Sequence, residues 1–113
     1  MNPEIKARWV AALRSGEYKK TTGKLRAKGG FCCLGVLCNL HAQDHPEIAA
    51  KQKKKGEYMG QAELLPWTVR DWAGLSSSGG GQVRIDGCRD TLANHNDNGV
   101  SFKQLADAIE EQL

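Results

Sequence analysis

Phe31-Cys32-Cys33-Leu34-Gly35-Val36-Leu37-Cys38 is the most apolar stretch of the chain and holds three of its four cysteines. How it is read decides the fold. As a helix running from Cys32 to about Ala42, it turns Leu34, Leu37 and Cys38, with Cys33, Val36 and Leu40, onto a wide apolar face. A strand over Phe31–Leu37 competes, because short apolar runs fit both periods. The helix reading makes this segment a buried centre, with Gly35 leaving room for another element to approach closely.

Outward from that centre, both ends carry helix signals. Asn2 caps a first helix with Pro3 at its opening position and Glu4 against the dipole. Ile5, Trp9, Val10 and Leu13 form its apolar face, and Ser15-Gly16 ends it. At the other end, Ser101 and Gln104 form a capping box before a face of Phe102, Leu105, Ala106 and Ile109. Between them, Pro66 opens a short helix stopped by Gly74. Residues 18–27 form a polar hairpin turning near Gly23, and Gln82-Val83-Arg84-Ile85 a strand ending at Asp86-Gly87. Ser76 to Gly81 is a flexible loop, Lys51 to Gly56 a solvated charge run, and Asn94 to Gly99 a turn. The expectation is an α+β fold in a single domain over residues 1–113. About four helices, near 3–15, 32–42, 66–74 and 101–112, surround one small antiparallel sheet. Trp9, Trp67 and Trp72 are assigned to the core.

The 113 residues are 40% hydrophobic and 26% charged, enough for one modest core and against disorder throughout. No apolar run is long enough to span a membrane, and Met1-Asn2-Pro3-Glu4-Ile5-Lys6 lacks the apolar stretch of a signal peptide. A cytoplasmic location in a host cell, with reduced cysteines, is therefore expected. The net charge of +3 is uneven: residues 1–30 carry +6, residues 31–60 +1 and residues 61–113 −4. The basic part either faces the acidic part or meets an anionic partner.

The run Cys32-Cys33-Leu34-Gly35-Val36-Leu37-Cys38, behind a helix that starts Asn-Pro, resembles a family of small bacteriophage and prophage proteins. The resemblance continues at Leu65-Pro66, Trp72-Ala73-Gly74-Leu75, Leu92, Asn96-Asp97, Gly99, Ser101-Phe102 and Ile109-Glu110-Glu111. It thins between residues 43 and 64. It implies a phage context and no common activity. Asn39 and His41 stand where an acidic and an aromatic residue are commoner in that family, which speaks against a shared metal site.

Several residue sets carry candidate chemistry. Cys33, Cys38, His41 and His45 are zinc-ligand types at zinc-like spacing, with Cys32 and Cys88 as substitutes. No Cys-x-x-Cys pair exists, and buried cysteine is ordinarily a small hydrophobe. Cys32 or Cys33 at a helix start would have a lowered thiol pKa, with His95 as base and Asp97 or Asn94 as its orienter. Phe31 and Leu34 argue instead for burial. Asn96, Asp97 and Ser101 suit either an anion site or a plain turn and cap. Lys19, Lys20, Lys24, Arg26 and Lys28, with Tyr18 as a stacking group, suit a nucleic-acid ribbon or a solvated hairpin. No groove-reading motif follows, so nucleic acid is disfavoured. Finally, Gly79-Gly80-Gly81 suits a backbone nest for phosphate, with Arg84 and Arg89 nearby; the competing reading is a linker and two solvated arginines.

These readings favour a binding protein without cofactor over an enzyme. It would be a phage-encoded accessory that counters host defence by holding a host protein or a phosphate-bearing small molecule. A cysteine-dependent hydrolase and a zinc or nucleic-acid module are the alternatives. No membrane partner is expected, and nothing in the pattern specifies an oligomeric state.

Overall fold

The apolar run is a helix. In the computed structural model, which describes residues 1–52 and 54–113, it forms α2 (Cys33–Asp44). Cys32 is its N-cap, with the thiol sulfur accepting from the Gly35 N–H at 3.3 Å. Every residue from Cys33 to Cys38 is buried, as are Leu40 and His41, so α2 has hardly any solvent face.

Around it lie α1 (Pro3–Arg14), α3 (Pro46–Ala50), α4 (Trp67–Ala73), α5 (Leu92–Asp97) and α6 (Phe102–Gln112). Six helices are thus present among the described residues, where about four were expected. The α+β class holds. Asn2 caps α1 by accepting from the Glu4 and Ile5 N–H groups, and Ser101 and Gln104 close the capping box of α6. α1 buries Ile5, Trp9, Val10 and Leu13 as it packs against α6 and α2, and the Trp9 indole N–H donates to the Cys33 carbonyl at 2.9 Å. Trp72 is half-buried, whereas Trp67 is 68% exposed with Arg70 over its ring, which corrects its assignment to the core.

The strands form two separate antiparallel pairs instead of one sheet: β1 (Arg26–Ala27) with β2 (Gly30–Phe31), and β3 (Gln82–Ile85) with β4 (Cys88–Thr91). Each turns through two residues with positive φ, Lys28-Gly29 (52° and 77°) and Asp86-Gly87 (51° and 79°). That backbone matches the right-handed twist of a tight hairpin. The first hairpin therefore turns at Lys28-Gly29, not near Gly23. The second includes a strand, β4, that the sequence reading had missed. Asn94 to Asp97 lies in α5, not in a turn, because Thr91 caps that helix at the Asn94 N–H. The charge run at 51–55 follows α3; Lys53 lies outside the described residues.

Gly35 meets the backbone of residue 25. A Cβ built there would lie 1.8 Å from the Leu25 carbonyl oxygen, which also accepts from the Cys32 N–H at 3.2 Å. Leu25 is in turn held by its own N–H on the Ala62 carbonyl at 2.7 Å. Gly35→Ala must displace backbone, and it is expected to lose about 3 kcal/mol, the upper end of overpacking costs, in chemical denaturation. Leu37→Ala should lose about 2–5 kcal/mol by leaving a cavity. A Gly35→Ala protein of unchanged stability would contradict the close approach.

Candidate functional site

α2 begins where the two halves of the chain meet. The Asn96 side chain accepts from the Cys33 N–H at 3.1 Å and donates to the Thr21 carbonyl at 3.0 Å. The Lys20 ammonium donates to the Asn96 carbonyl at 2.7 Å, and Asp97 accepts from the Gly23 N–H at 2.8 Å. Asn96 and Asp97 thus tie α5 to the start of α2 and to the segment before β1. With Ser101 engaged in its capping box, these residues act on neighbouring backbone rather than on an open ligand site.

Neither the catalytic set nor the metal set assembles. The Cys33 thiol is fully buried, with the Leu92 carbonyl at 3.8 Å, while the His95 Nε2 lies 2.9 Å from the Val83 carbonyl. Burial pushes the Cys32, Cys33 and Cys38 thiols upward. Backbone N–H groups at the helix start pull Cys32 the other way, but desolvation is larger, and Asp97 adds to the rise. Among the described residues, no three His, Cys, Asp or Glu side chains are placed to share a metal ion.

His41 is nevertheless specifically placed. It is buried, its Nδ1 lies 2.6 Å from the Tyr58 hydroxyl, and its ring lies tilted against His45 at 4.3 Å and meets Trp72 edge-on at 4.9 Å. Desolvation and then His45 lower its pKa from 6.5. Burial pushes the Tyr58 hydroxyl up to about 12.

The expected phosphate nest is divided between different surroundings. Gly79, Gly80 and Gly81 are buried; the Gly80 and Gly81 N–H groups donate to the Ser77 carbonyl and hydroxyl, each at 3.1 Å. A Cβ at Gly80 would press on Leu34 and Leu92, so this glycine serves close packing on the core. Arg84 and Arg89 are cross-strand neighbours on an exposed face, and the Arg89 Nε donates to Gln82 at 3.0 Å. Arg84 borders a depression of about 250 Å³ that it shares with Asp86, Asp107 and Glu111.

A groove of about 820 Å³ lies along α2. Gly35, Cys38, Asn39 and Ala42 form its floor; the β1–β2 hairpin forms one wall, and Ala49, Gln52 and residues 54–58 the other. The walls meet where Gly56, at φ 84°, abuts the Arg26 carbonyl. Gln52 closes the outer wall on itself by donating to the Lys54 and Glu57 carbonyls. Arg26, Lys28, Lys54 and Lys55 line the groove against a single carboxylate, Glu57. Among the described residues, none of these four cations makes a salt bridge.

Aromatic groups stiffen the groove. The Arg26 guanidinium sits over Phe31 at 5.1 Å, and Tyr18 meets Phe31 edge-on at 5.1 Å while its hydroxyl accepts from Asn39 at 2.7 Å. Tyr18 is therefore a support for Phe31. The sequence shows both basic runs, but Tyr58, Phe31 and the meeting of the runs carry no local signal.

Two outcomes are expected. In the native protein only Cys88, the exposed cysteine, should alkylate rapidly, while Cys32, Cys33 and Cys38 should react after denaturation. Rapid labelling of Cys32 or Cys33 by mass spectrometry would revive the hydrolase reading. Stability should also fall with acidification. Because the folded pKa of His41 is depressed, the unfolded chain takes the proton first as pH drops below 6.5. The stability associated with neutral His41 is complete above that pH and is lost as pH falls through the folded value. His41→Gln should flatten the melting-temperature profile between about pH 7 and 5.

No curated protein and no solved structure matches the chain. A family model does, over residues 1–113, described as a domain of unknown function (DUF8296). With the whole chain matched, this protein belongs to the DUF8296 family.

Proposed function

We propose that the protein is a binding protein whose basic groove takes an anionic, phosphate-bearing small molecule of nucleotide size. The observation that carries this is the 820 Å³ groove, lined by four cations and one carboxylate, with Gly35, Cys38, Asn39 and Ala42 along its floor. Its volume falls in the range of small-molecule sites, about 300–1,000 Å³. Holding Arg26, Lys28, Lys54 and Lys55 near one another without carboxylate partners is electrostatically unfavourable, and a bound anion relieves it. Two arginines elsewhere are committed: Arg8 to Asp44 at 2.8 Å and Arg14 to Asp107 and Glu110 at 2.7 and 3.0 Å. The buried thiols favour binding over thiol catalysis. The phage-family resemblance adds context to the proposal: the ligand would be a host signal withheld from its receptor.

Calorimetric titration with linear and cyclic nucleotides tests this reading. Binding is expected, and Lys28→Glu or Lys54→Glu should weaken it by roughly tenfold or more. Arg84→Ala and Arg89→Ala, outside the groove, should leave affinity unchanged. Heat-free titrations across the nucleotide set, or binding indifferent to both lysine reversals, would remove the groove as the site.

A further inference from the structure

On sequence alone nucleic acid is disfavoured, because the basic ribbon at residues 19–28 is followed by no reading motif. The fold alters that premise by joining two basic runs. Gly56 abuts the Arg26 carbonyl, bringing the lysines of residues 54–55 to the hairpin that carries Arg26 and Lys28. The ribbon is continuous with the same hairpin: the Phe31 N–H donates to the Lys19 carbonyl at 2.7 Å, and the Thr21 N–H to the Phe31 carbonyl at 2.9 Å. Lys19, Lys24, Arg26, Lys28, Lys54 and Lys55 are all exposed. None of them forms an ion pair among the described residues.

We infer that this basic face, with the groove within it, is a binding surface for single-stranded nucleic acid, one base entering the groove while the backbone follows the cations. The inference rests on the groove reading above and extends it from a single nucleotide to a polymer. Six exposed cations exceed what one nucleotide's phosphates need, and Lys19 and Lys24 are not among the residues lining the groove. A polymer neutralises cations along the ribbon as well as those in the groove. A single strand fits better than a duplex. The site is concave and flanked by the Arg26–Phe31 pair, so an unpaired base has both a recess and a guanidinium plane to lie against. A duplex keeps its bases inside its own stack and reaches only the rim.

Fluorescence anisotropy with a labelled single strand of about 12 nucleotides, as RNA and as DNA, compares the polymer with a mononucleotide. The oligonucleotide should bind at least roughly tenfold tighter, and its log affinity should fall linearly with log salt, with a slope near −0.7 per phosphate neutralised. Lys19→Glu with Lys24→Glu should weaken oligonucleotide binding and spare mononucleotide binding, while Lys54→Glu with Lys55→Glu weakens both. These are surface substitutions, and a circular dichroism melt confirms that each variant is folded. A mononucleotide that binds as tightly as the oligonucleotide overturns the inference and leaves the groove reading standing. A duplex that binds as tightly as the single strand also overturns it. If neither mononucleotide nor oligonucleotide binds, both readings fall.

Discussion

The contact between Gly35 and the backbone of Leu25 is the constraint on which the rest of the structure depends. It is possible because residue 35 has no side chain; a Cβ would occupy the place of the Leu25 carbonyl oxygen. The same oxygen accepts from the Cys32 N–H, so one carbonyl binds the segment before the first hairpin to the opening of α2. Once this segment lies flat on α2, the β1–β2 hairpin must stand at the edge of the helix. The chain returning from α3 then closes against it at Gly56. The groove is a consequence of that close approach.

The three clustered cysteines show how burial decides chemistry. A helix start favours thiolate, and Cys32 receives that help from nearby N–H groups. Loss of solvation outweighs it, and the Asp97 carboxylate opposes the thiolate further. The thiols therefore work as compact apolar groups. Asn96 supplies the polar function at the same place: wholly buried, it satisfies the first N–H of α2 and a carbonyl before β1. The two motifs at opposite ends of the chain are thereby brought together, since Asn96 bonds directly to Cys33.

Charge follows a similar division. The basic N-terminal part and the acidic C-terminal part do meet, through Arg14 with Asp107 and Glu110 on α6. Among the described residues, Arg26, Lys28, Lys54 and Lys55 take no part in that neutralisation. They gather around the groove beside α2. The fold thus separates the cations that hold the chain together from those left to act on a partner.

Local chemistry made much of the architecture legible. Asn2-Pro3, the Ser101–Gln104 box, Gly74 and the apolar periodicity placed four helices, because caps and faces are written within a few residues of the helix they serve. Gly35 as a point of close approach was legible for the same reason: a lone glycine in an apolar helix suggests a neighbour's backbone. The hairpins were only half legible. Asp86-Gly87 was read as a strand end, although two positive-φ residues between extended ones call for a returning strand. Trp67 looked like core because helical periodicity does not say which positions another element will cover. The groove lay beyond sequence reading altogether. Its residues come from segments about thirty positions apart, and their convergence depends on a backbone contact at Gly35 and a loop closure at Gly56. Local propensity fixes where a helix begins and ends; which lysines share a surface is set by packing between distant segments, and that was decided only in three dimensions.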